Sequence, residues 1–184
     1  MATSLPEILS CAVAVPLIAA GMISDVRSRR ISNRLNLLVA CAGLATMLAV
    51  RGPGGLLWSA GGLGAGLAVS FVIYAVGAIG AGDAKFIGAL GAWLGPGGVL
   101  VALAAGTVLA GLVAVVEIIR SQDRAAYLAN LSLLAGKVAS GRLFDPEAAS
   151  HAALNEGRAS LPYGAFPGGV ALILLGLRAG GLEW

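Results

Sequence analysis

The chain has 184 residues, 58% of them hydrophobic and 11% charged, with a mean hydropathy of +0.91. Soluble domains carry about 25% charged and 45–50% apolar residues, so this composition excludes an ordinary soluble domain and predicts an integral membrane protein surrounded by lipid. A net charge of +3 is too small to call for nucleic acid, and no such partner is expected.

A helix that crosses a bilayer needs about 20 predominantly apolar residues. Residues 5–24 qualify. No basic segment precedes this run, and Arg27, Arg29 and Arg30 follow it. That order is wrong for a cleaved signal peptide and right for a first span. Residues 35–50 form a second run, ended by Arg51-Gly52-Pro53-Gly54. Residues 55–80 are long and Gly-rich. They contain Gly62-x-x-x-Gly66, a spacing that lets helices approach closely within one bundle or between chains; packing within the chain is the expectation. Residues 84–94 are short, and Gly95-Pro96-Gly97-Gly98 breaks them. They read as a half-helix shielded by the rest of the bundle, since only protein cover permits such a segment at membrane depth. Residues 99–119 and 162–177 complete the set. The expected fold is a single polytopic, all-α domain over residues 1–184, with about six transmembrane helices and one cytoplasmic amphipathic segment.

That segment is the polar stretch 120–161. Tyr127, Leu128, Leu131, Leu134, Ala135 and Val138 recur there at helical spacing, with Arg124, Asn130, Lys137 and Arg142 between them. It reads equally as a helix on the membrane surface or as a solvated one. The cysteines, Cys11 and Cys41, lie in apolar runs and read as packing residues. His151 is the single histidine; with no second ligand beside it, it reads as a surface residue. Neither a metal nor a cofactor is expected.

Orientation follows from the basic residues. Arg27, Arg29, Arg30 and Arg34 crowd one short loop, and the positive-inside rule places that loop in the cytoplasm. The amino terminus is then outside, Arg51 is an exception on the outer face, and Asp83, Lys85 and the stretch 120–161 return to the cytoplasmic side. Asp25 and Asp83 therefore face the same side of the membrane.

Those aspartates carry the functional reading. A carboxylate at the bilayer centre costs about 2.5–3.5 kcal/mol on insertion scales, and two acids sharing a site and a proton can hydrolyse an amide. Asp25 ends its helix, where the dipole disfavours an anion; Asp83 begins the next, where the dipole favours one. Gly80 and Gly82 before Asp83 lack Cβ atoms, so they admit a substrate backbone and allow unusual dihedrals. The plainer alternatives are that Asp83 caps a helix, Asp25 marks the membrane boundary and Lys85 pairs with Asp83. A reading from another class is a small proton- or cation-coupled transporter or channel component using the same acids.

Two motifs resemble the type IV prepilin peptidases, in particular the small kind associated with tight-adherence (Flp-type) pili. Asp25-x-Arg27 followed by Ile31-Ser32-Asn33 is similar to that family's D-x-R…I-P-N signature, and Gly80-Ala81-Gly82-Asp83-Ala84-Lys85-Phe86 to its G-x-G-D-x-K pattern. Leu161-Pro162-Tyr163-Gly164 echoes the opening of the family's last helix. The resemblance implies an aspartic endopeptidase of the bacterial inner membrane with Asp25 and Asp83 catalytic. It implies cleavage of a short basic leader from a prepilin at the cytoplasmic face, in company with pilus-assembly machinery. Gly80, Gly82, Lys85, Arg27 and Asn33 are then the expected site-shaping or substrate-binding positions. Ser32 and Ala165 stand where the family usually has Pro. Larger relatives carry a zinc-binding cysteine insertion and also N-methylate the new pilin terminus. This sequence lacks the insertion, and nothing in it identifies a methyl-transfer site.

Overall fold

The computed structural model describes residues 5–28, 31–120 and 163–180, with isolated helical positions at 132, 135, 136 and 139. The helices are α1 (Leu5–Ser28), α2 (Asn33–Ala75), α3 (Ala81–Arg120) and α4 (Ala165–Ala179). No strand occurs among the described residues.

At 1.5 Å per residue α2 and α3 would each be about 60 Å long, twice the hydrocarbon thickness of a bilayer. Neither is straight. Gly52 (φ 66°, ψ −157°) and Gly95 (φ 72°, ψ −179°) leave the helical region within them, in conformations essentially confined to glycine. Pro53 and Pro96 follow, and a proline cannot donate the backbone bond that would carry a helix across the break. Each long helix is therefore two arms. The arms of α2 fold back on one another: Gly43 and Gly62 both pack against the stretch Gly91–Gly95, while Asn36 and Ser70 both reach the start of α3. The second arm of α3 returns likewise, bringing Gly106 against Pro167 and Thr107 to Tyr163.

The first arm of α3, about 21 Å long, sits in the middle of the molecule. Phe86, Ile87, Leu90, Trp93 and Leu94 on it are all fully buried. This is the shielded half-helix expected of residues 84–94. Large apolar side chains point outward elsewhere, among them Leu57 (74% exposed), Leu37 and Val108. So large an apolar exterior marks a surface that water does not wet. α1, α2 and α3 are each long and apolar enough to cross a membrane.

Glycine and hydroxyl groups draw α2 onto this central arm. A Cβ on Gly62 would stand 2.0 Å from the Gly91 carbonyl oxygen, and one on Gly91 would stand 2.1 Å from that of Gly62. The Gly62-x-x-x-Gly66 spacing thus serves contact within the chain. Ser59 Oγ donates to the Ala92 carbonyl at 2.6 Å, and Trp93 Nε1 to that of Val39 at 3.0 Å. Cys11 packs against the core as expected, its thiol donating to the Leu175 carbonyl at 3.4 Å. Cys41 does not: it is exposed on the apolar exterior. The Trp58 ring lies beneath the guanidinium groups of Arg51 and Arg178, 5.6 and 4.7 Å from its centroid. The amphipathic stretch 120–161, apart from the isolated positions above, and His151 fall outside the described residues.

Candidate active site

The chain leaves α1 after Ser28 and re-enters helix at Asn33. Ser32 caps α2 from extended backbone, its Oγ accepting the Leu35 N–H at 3.2 Å. A proline at this position has no side-chain acceptor, so here the departure from the family signature supplies a cap. Ile31, just before it, is buried beside the aspartates.

Asp25 lies in the last turn of α1 and is 3% exposed. Asp83 lies in the first turn of α3 and is half-buried. The start of α4 joins them. A Cβ built on Gly164 would stand 3.0 Å from Asp83 Oδ1 and 3.2 Å from Asp25 Oδ2. Both carboxylates therefore face the space that a side chain at residue 164 would fill, and they meet at one site. Gly164 caps α4 without a side chain, and the next N–H, that of Ala165, donates to Asp25 Oδ2 at 3.0 Å. Asp25 thus satisfies one of the donors that a helix start leaves unpaired. A proline at 165 would have no N–H to give, so this second departure from the family pattern adds a hydrogen bond. The amino end of α4 favours an anion at Asp25 and the carboxyl end of α1 opposes it.

Two acids at one site can activate a water and polarise a carbonyl at once. Tyr163, in the turn before α4, shares a hydrogen bond with Thr107 of α3 and lies within electrostatic reach of Asp83.

The remaining expected residues divide. Lys85 and Asn33 are both exposed, and Lys85 Nζ donates to Asn33 Oδ1 at 2.8 Å, tying the start of α2 to that of α3. Arg27 stands exposed in the last turn of α1. The Gly80 carbonyl accepts the Ala84 N–H at 3.1 Å, which starts α3. Gly82 is needed for space: a Cβ there would stand 3.3 Å from the Ile31 carbonyl oxygen. The unusual dihedral expected of Gly80 or Gly82 belongs instead to Gly77, at φ 82°.

Sequence reasoning did not assign Asn36, Ser70, Thr107 or the Ala165 N–H to this site, and it noted Gly164 only as part of an echo. The one local signal was a helix start at Gly164 with no side-chain cap, which asks what accepts its first N–H groups.

A family model described as the type IV leader peptidase family matches residues 11–115. The match contains both aspartates and ends before α4. Neither the comparison with curated proteins nor that with solved structures gives a match.

Proposed function

This chain belongs to the type IV leader peptidase family, and we propose that it is an aspartic endopeptidase in which Asp25 and Asp83 remove the short basic leader of a prepilin of the Flp type. The observation that carries this reading is the convergence of Asp25 Oδ2 and Asp83 Oδ1 on Gly164. In the proposed reaction the ionised acid takes a proton from water, and the protonated acid donates to the scissile carbonyl oxygen. The tetrahedral intermediate then collapses: the acid that took the water proton gives it to the leaving amine, the other acid takes back the proton of the former carbonyl oxygen, and the carbon–nitrogen bond breaks, which restores the dyad. Pairing lets one site provide acid and base together.

The helical segments are proposed to run in alternate directions through the bacterial inner membrane, the short first arm of α3 shielded inside the bundle, with the dyad at the cytoplasmic face. The arginines around residues 27–34 support that orientation, and a basic leader retained in the cytoplasm would meet the acids there. Pilus-assembly machinery is the proposed wider partner. Lys85, Asn33 and Arg27, exposed at the same end of the molecule, are proposed to line the approach of the substrate. A proton- or cation-coupled transporter would place its acids mid-span, whereas these two lie at the ends of α1 and α3.

The test is co-expression with a prepilin, leader loss being read as a gel shift. Asp25→Asn and Asp83→Asn should each abolish cleavage with protein levels near wild type, because an amide oxygen still accepts a backbone N–H. Full processing by either variant refutes the dyad.

A further inference from the structure

We propose that Asn36 and Ser70, two buried polar residues on opposite arms of α2, are positioning residues for Asp83; this rests on Asp83 being catalytic. Asn36 is 5% exposed and Ser70 is fully buried. Asn36 Nδ2 donates to the Gly82 carbonyl at 3.0 Å, and Ser70 Oγ to the Ala84 carbonyl at 2.9 Å. Gly82 and Ala84 are the two chain neighbours of Asp83. The backbone carbonyls on either side of the acid are thus held by side chains from two different arms.

Helix satisfaction does not require these bonds. A carbonyl in the first turn of a helix already accepts the N–H four residues on. What the side chains add is direction: they fix the roll and tilt of the first turn of α3, and with it the place of Asp83 Oδ1 beside Gly164. Gly82 fits the same purpose, since its missing Cβ lets this turn lie against Ile31.

Asn36 is also a poor choice for stability alone. Its Oδ1 is buried with no hydrogen-bond partner among the described residues, and a buried acceptor left unpaired is destabilising. Leucine has nearly the same shape and would remove the donor and the orphan acceptor together. Replacing a polar group by an apolar one of similar shape can be nearly neutral, so Asn36→Leu separates positioning from stability. Ser70→Ala removes one oxygen from a helix that tolerates alanine well. Ser70 has a single hydroxyl proton, and its Oγ also lies 2.6 Å from the Gly66 carbonyl of its own helix, so its bond to Ala84 is shared with that contact and its hold on α3 is the weaker of the two.

The experiment uses full-length purified enzyme in proteoliposomes and a prepilin with a basic leader. Initial rates over a range of substrate concentrations are combined with thermal unfolding for wild type, Asn36→Leu, Ser70→Ala, the double variant and Asp83→Asn. Each single variant should lower kcat about tenfold or more and the double about 100-fold, the scale of a displacement near 1 Å at a reacting group. KM should stay within about twofold, as when an interaction made only in the transition state is lost. Unfolding temperatures should stay near wild type. Wild-type kcat in both single variants overturns the proposal. So does a loss of activity that follows a matching loss of folded protein, or a rise in KM at constant kcat. If Asn36→Leu does not fold, Ser70→Ala decides alone. Asp83→Asn cleaving at the wild-type rate would overturn the catalytic reading as well, so the two failures are distinguishable.

Discussion

Substituting Gly164 by alanine tests the site where its two halves meet. The backbone there is ordinary right-handed helix (φ −61°, ψ −27°), so alanine meets no dihedral penalty. A glycine replaced at such a position stabilises a protein by about 0.4–1 kcal/mol through the unfolded chain. Against this, the new methyl would lie 2.9 Å from Ile31 Cδ1, 3.0 Å from Asp83 Oδ1 and 3.2 Å from Asp25 Oδ2. All three are closer than the 3.5–4.0 Å optimum between such atoms. Relief requires the carboxylates to turn away or α4 to move, and either change lengthens the Ala165 N–H bond to Asp25. Hydrogen bonds to charged groups contribute about 1.5–3 kcal/mol, so complete loss of this bond would outweigh the gain by about 0.5–2.6 kcal/mol, a modest destabilisation. The effect on activity is larger. The methyl stands between the two acids, where the attacking water belongs, and misplacement on the 1 Å scale costs about 100-fold. Gly164→Ala should therefore lower the initial rate of leader removal by about 100-fold or more, with the unfolding temperature within a few degrees of wild type. A variant that cleaves within about threefold of wild type would refute the placement of the dyad at Gly164, since that is well below the cost of a 1 Å misplacement.

The two helix breaks separate strain from collision. Gly52→Ala meets nothing within 4 Å and should cost only the backbone strain of about 1–3 kcal/mol, whereas Gly95→Ala adds a methyl 2.1 Å from the Trp58 ring and should lower the unfolding temperature much further; equal shifts would contradict this. In a background lacking Cys11 and Cys41, a cysteine replacing the exposed Ser28 should label only after the inner membrane is permeabilised, and one replacing the exposed Gly180 should label in intact spheroplasts. The reverse pattern would put the acids in the periplasm and remove the peptidase reading with the topology. Leader removal by the purified enzyme should be unaffected by chelators, because the acids themselves supply the general acid and base; inhibition by a chelator and recovery with zinc would contradict this.

Composition and segment lengths were enough to identify a membrane protein, because a bilayer demands long apolar helices whatever their neighbours. The breaks at Gly52-Pro53 and Gly95-Pro96 were legible because these residues act on their own backbone. Counting segments placed Asp25 and Asp83 at one end, since each helix reverses the direction of the chain. The site's construction was not legible. Asp25 and the Ala165 N–H meet across 140 residues, Asn36 reaches Gly82 across 46, and the role of Gly164 depends on two carboxylates from elsewhere. Hydrophobic periodicity reports the face of a helix about its own axis and says nothing of which helix will face it. The order of segments in the sequence therefore led to the expectation that the two acids lie at one end of the bundle. Only the packing of α1, α2 and α4 around the buried first arm of α3 decided that they would share a site, because close approach depends on Gly82, Gly164 and their partners being matched in three dimensions.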